Sequence, residues 1–277
     1  MALTAQLVVS SSALAQSQQT QGEVPEAGKP APRWPDGRPN FGSPPGEVGL
    51  WMPVGGLLDV TFAYPDDAPP RPGRGILPGL RPRLSEVPFQ PWARALYDYH
   101  KQTEFAFEPA ARCKPSGGAR QFLTPYGLEI VDVPELKRIF TLGVGGPHSY
   151  RIIYMDGRGH PKDLEPSAYG HSIGHWEGDA LVIDTVGLNE RFWIGRVDGT
   201  PHTEQLHFIE RVTRVNMSTM KYEVVIDDHG AYTATWKSGF TLRWTPGTEL
   251  FEFICQENNI SPELMIDAEG RRSRIVP

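Results

Sequence analysis

Several things are missing from this 277-residue chain, and each absence removes a class of function. No apolar run reaches about 18 residues, so no integral membrane segment is expected. No basic stripe occurs and the formal net charge is −6, so nucleic acid is not an expected partner. Walker A, Rossmann and HExxH motifs are all absent, and the sequence implies no cofactor. The stretch from Gly42 to Gly46 has glycines at its ends, but Ser43 is misplaced for a nucleophile elbow and the flanks are proline-rich. Cysteine is scarce. Cys113 and Cys255 permit one disulfide in an exported protein, or else two buried thiols. Nothing in the sequence sets an oligomeric state.

Proline and glycine are abundant, at 27 and 29 residues, and they are unevenly spread. Residues 3–14 are small and apolar and run into Ala13-Leu14-Ala15, an A-x-A cleavage signature. No Lys or Arg precedes Lys29, so residues 1–16 read as a start-truncated signal peptide, with a disordered tail as the alternative. Residues 17–87 read as a Pro/Gly-rich arm that cannot sustain a regular ladder. Within it Leu50-Trp51-Met52 and Leu57-Leu58 could dock on a folded domain. One helix is expected after Pro88-Phe89-Gln90-Pro91, with Trp92, Leu96 and Tyr99 at helical spacing and an end before Thr103. From about Gln121 the period becomes two. Candidate strands cover 128–133, 138–142, 149–155, 172–176, 180–186, 206–215, 221–227, 239–244 and 249–255. Asp156-Gly157, Glu177-Gly178-Asp179, Asp198-Gly199 and Pro246-Gly247 mark turns between them. The fold class is therefore mainly β. An antiparallel barrel or strongly curved meander, lipocalin-like in outline, spans residues 88–260, with one flanking helix, the N-terminal arm and a tail over 261–277. A two-sheet sandwich is the alternative.

Six strings carry a resemblance. They are VPFQPWARALYDYH, ARCKPSGGARQFLTPYGLEI, GRGHPKDLEPSAYGHSIGHWEGDALVIDTVG, HTEQLHFIERVTRV, YEVVIDDHGAYTATW and ELFEFICQENN. Together they resemble a family of uncharacterised exported bacterial proteins across most of residues 87–259. The resemblance implies export and a single shared domain, and it implies no activity. This chain has His171 where the family pattern usually carries a carboxylate or other polar residue.

Strand alternation puts several ionisable side chains on apolar faces. Arg151 shares a face with Ile153 and Met155. Asp184 shares one with Val182 and Val186, Glu210 with Phe208 and Val212, and Glu252 with Leu250 and Ile254. Buried charge is costly unless paired, so these residues either serve a pocket or close the barrel as ion pairs. His175, Asp184 and Glu210 are the candidate catalytic residues, since an imidazole beside a carboxylate can move protons near neutral pH. Register places His175 near 181 or 182 rather than opposite Asp184. Arg151, Trp176, Trp193, His207 and Glu252 are candidate ligand contacts. His171, His175 and Glu204 have spacing compatible with a metal, but no motif supports one. The expected function is that of a periplasmic or secreted small-molecule binder, for an apolar or aromatic ligand with a polar or anionic group. A lyase, isomerase or hydrolase on the same scaffold is the first alternative, and a protein-interaction module the second.

Overall fold

A computed structural model describes residues 29–44, 46–58, 81–103, 108–143, 149–195 and 199–255. The signal-peptide reading of residues 1–16 and the tail over 261–277 lie outside them. Nine strands form one closed barrel: β1 (Gly49–Val54), β2 (Leu128–Val133), β3 (Arg138–Gly143), β4 (Tyr150–Tyr154), β5 (His171–Glu177), β6 (Ala180–Val186), β7 (His207–Arg214), β8 (Thr219–Asp227) and β9 (Trp236–Pro246). Each strand pairs with its neighbours in sequence, and β9 pairs with β1 to close the ring. Alternating up and down around a ring of odd number cannot be completed, so at least one neighbouring pair must be parallel. That pair is β4–β5, with Ile153 opposite Ser172. A parallel pair cannot be joined by a tight turn, so residues 155–170 form a long crossover. The β5–β6 hairpin is the opposite case. It turns on two residues, with Gly178 at φ 60° and Glu177 opposite Ala180.

Eight of the nine strands stand where alternation placed them, within a few residues at their ends. The ninth differs. The segment 249–255 lies outside the sheet, and β1 from the proline-rich arm takes the closing position. Trp51 on β1 is wholly buried, packs edge-on to Trp244 at 5.2 Å, and donates from Nε1 to the Phe41 carbonyl at 2.8 Å. Pro53 is tolerated because proline can sit near the end of a strand whose ladder is incomplete; β1 meets β2 at only one residue pair. The barrel domain therefore begins before residue 88. The arm also packs onto the barrel. Arg214 donates to the carbonyls of Asn40, Gly42 and Met217 at 2.6, 2.9 and 2.8 Å, against the rings of both Trp51 and Trp244. Phe41 packs on Trp176 at 5.3 Å.

A 3-10 turn, Gly118–Leu123, lies against β1 and β7 and is buried throughout. Gly118 (φ 53°) sits so close to Phe208 that any side chain would overlap the ring. Phe122 meets Tyr222 at 4.6 Å. The flanking helix α1 (Pro91–Gln102) forms as expected, but its buried face is Ala93, Tyr97 and His100. Trp92 and Tyr99 stay about half exposed, since Trp92 turns to donate to the Gly230 carbonyl at 2.9 Å. Cys113 and Cys255 form a disulfide, tying the 249–255 segment to the loop before the 3-10 turn. No helix among the described residues is long and apolar enough to cross a membrane.

Candidate functional site

Inward-facing positions on five strands, β4 to β8, bring one polar cluster together inside the barrel. Arg151 donates from Nε to Ser172 Oγ at 2.8 Å, from Nη2 to Thr185 Oγ1 at 2.6 Å, and from Nη1 to Glu210 Oε1 at 2.9 Å; Nη2 also meets Glu210 Oε2. Tyr222 donates to Glu210 Oε1 at 2.7 Å. Both charged groups are buried to within 1%. Burial opposes the Arg151 charge, but Glu210 beside it outweighs that, and the guanidinium pKa lies above its ordinary value. Burial, reinforced by Glu210, pushes the Tyr222 phenol well above its usual range, so it stays a donor. Both carboxylate oxygens of Glu210 and both sides of the guanidinium fork are thus engaged by barrel residues. The interior around them is occupied by the buried side chains of Trp51, Trp244, Phe122, Phe208 and Phe240.

Asp184 and His207 belong to the outer wall. His207 Nε2 lies 2.7 Å from Asp184 Oδ1, and His160 Nε2 lies 3.2 Å from the same oxygen. His160 Nδ1 in turn stands 2.8 Å from His171 Nδ1. His175 is opposite Val182, as the register implied, and is exposed beside Glu177 at 3.2 Å. It meets neither Asp184 nor the interior cluster. Four residues along a strand span about 13 Å, so His171 and His175 share a face without sharing a ligand. Glu204 is exposed in the loop before β7. Among the described residues, no three His, Cys, Asp or Glu side chains are placed to hold a metal ion.

The remaining candidates are scattered. Trp176 is covered by Phe41 and by Arg38, whose guanidinium lies 5.8 Å from the ring. Trp193 is buried and stacked on His100 at 4.2 Å. Glu252 is exposed outside the sheet. His100 and His202 are held below the ordinary imidazole value by burial, His202 between the carbonyls of Phe192 and Thr203.

Three loops converge instead on a crevice of about 450 Å3 beside the barrel. Lys114 and Pro115 form one wall, residues 165–168 of the crossover a second, and Asn189 and Arg191 a third. Backbone bonds fasten the last two: Ser167 N–H donates to the Gly187 carbonyl at 3.0 Å, and Asn189 N–H to the Ser167 carbonyl at 2.9 Å. Gly117 lets the first wall approach, because a Cβ there would lie 1.9 Å from the Ala168 oxygen. Asn189 Oδ1 accepts from the Arg191 N–H at 3.1 Å, which shapes the turn and sets the exposed Arg191 side chain at the rim. The crevice carries two cations, Lys114 and Arg191, against one carboxylate, Glu165, with Pro115, Pro166 and Ala168 as apolar surface. Trp193, the candidate ligand contact in the loop after Asn189, turns into the core instead. No family model, curated protein or solved structure matches the chain.

Proposed function

We propose that the protein is a periplasmic or secreted small-molecule binder, and that its ligand lies in the loop crevice rather than inside the barrel. The crevice carries this reading. Its volume falls within the range of about 300–1,000 Å3 usual for small-molecule sites, and it combines apolar walls with a few polar groups. The exposed Arg191 guanidinium at the rim favours a ligand with an anionic group. The planar guanidinium of Arg191 suits a carboxylate in particular. Proline and alanine walls suit a flat apolar or aromatic body. The disulfide fits an oxidising compartment. Neither the enzyme nor the interaction-module alternative gains a specific observation, since His175 stands apart from Arg151 and Glu210.

Isothermal titration with benzoate and with benzamide tests the reading. Benzoate is expected to bind more tightly. Arg191→Gln is expected to weaken benzoate about tenfold, the scale of one charge-assisted hydrogen bond, and to leave benzamide unchanged. Equal loss of both probes in that variant, or no benzoate binding to the unaltered protein, would overturn it.

A further inference from the structure

The crossover of residues 155–170 is fastened to the barrel by a chain of ionisable side chains that the ligand site does not use. His171 sits on β5, Asp184 on β6 and His207 on β7, while His160 alone comes from the crossover. Its Nδ1 meets His171 Nδ1 at 2.8 Å and its Nε2 meets Asp184 Oδ1 at 3.2 Å. Residues 156–163 are otherwise exposed, so His160 is the one half-buried side chain anchoring that stretch. The other anchors are Arg158 over Tyr154 before it, and Leu164 over Gly187 and the Ser167 backbone bonds beyond it.

The other groups facing this pair complete the electrostatics. Tyr154 on β4 stacks on His171 at 5.1 Å. Arg158 lies over Tyr154 at 4.2 Å and pairs with Asp156, and Arg138 on β3 lies 5.5 Å from the same ring. His207 shares the Asp184 oxygen with His160.

An imidazole–imidazole hydrogen bond needs one ring to donate and the other to accept. With Asp184 ionised, His160 donates to it through Nε2. Neutral His160 then has a bare Nδ1, and His171 must donate to it. One added proton preserves the link, whichever ring takes it, because one nitrogen of the facing pair can stay bare. A second proton leaves two N–H groups facing each other on two cations. Asp184 can still hold His160 through Nε2, but it cannot restore the bond to His171.

We propose that the His160–His171 pair is an acid-opened latch: it is closed while the pair shares no more than one added proton, and the second proton opens it, freeing residues 156–163 from β5. Burial, then His160 and Arg158, hold His171 below the ordinary imidazole value of 6.5. The latch therefore contributes in full above that value and is lost as the pH falls through the lowered one. The crevice wall keeps its own backbone bonds, so this device does not depend on the ligand reading.

Backbone order parameters and imidazole nitrogen shifts, followed by NMR on the full chain from pH 7.5 to 4.5, test it. In the unaltered protein His171 is expected to take up its proton below the ordinary imidazole value. Order parameters over 157–163 should fall from near 0.85 once both rings are charged, while the bond to Asp184 keeps the segment on β6. His171→Gln can donate to or accept from His160 but cannot gain charge, so it should keep the segment ordered throughout. Proton uptake by His171 at or above 6.5, or acid loosening that persists in His171→Gln, would overturn the latch.

Discussion

Glu210 and Arg151 show how much a single buried charge depends on its partner. Each is inaccessible to water, and each satisfies the other. Glu210→Gln would leave the Arg151 charge buried without its counter-ion, a change that costs about 3–5 kcal/mol. Urea unfolding should show that loss, and the double variant Arg151→Met with Glu210→Leu should recover most of it. A single-variant cost below about 1 kcal/mol would contradict the pairing. His202 makes a second residue-scale prediction. It is buried in its neutral form, so the folded state takes up fewer protons than the unfolded chain near the ordinary imidazole value of 6.5. Stability should fall as the pH drops below that value, and replacing His202 with Gln should flatten the fall measured by urea unfolding at pH 7.5 and 5.5. Alternation alone revealed that Arg151 and Glu210 face inward, because side-chain direction is a local property of a strand. It could not reveal that they meet, since β4 and β7 come together only once the barrel is curved and closed. The chain from His171 to His207 was hidden for a related reason: its central member, His160, lies on an irregular loop with no period to read.

At the level of elements, β1 is the most instructive strand. Its alternation is short and is embedded among prolines, so local pattern argued against a ladder there. It exists because the gap between β9 and β2 supplies hydrogen-bond partners along one whole side. The segment 249–255 alternates better, yet the barrel is already closed without it. Partner availability outranked intrinsic pattern in both cases. The helix erred by one residue of rotation: the aromatic stripe of Trp92 and Tyr99 lies beside the face that packs, and smaller Ala93 allows the close approach. Trp51→Ala should cost about 3–5 kcal/mol in urea unfolding, because it empties the space beside Trp244 and Arg214. A chain starting at residue 88 should fail to give a cooperative transition. Cooperative unfolding of that fragment would show that β1 is dispensable.

For the whole molecule, ring parity links the fold to its surface. Nine strands in sequence order oblige one parallel step, the parallel step obliges a long crossover, and the crossover supplies a wall of the crevice and the His160 anchor. The mainly β barrel was legible from strand count and turn spacing. Its crevice was not, because Lys114, Ser167 and Arg191 come from three loops with no common motif. The central claim is that ligand binds in this crevice and not in the packed interior. Backbone amide shifts mapped by NMR during benzoate titration test it most directly. The account expects the largest changes at Lys114, Ser167, Ala168, Asn189 and Arg191, with Arg151, Glu210 and Tyr222 unmoved. Dominant changes at the interior three, with the crevice silent, would contradict it.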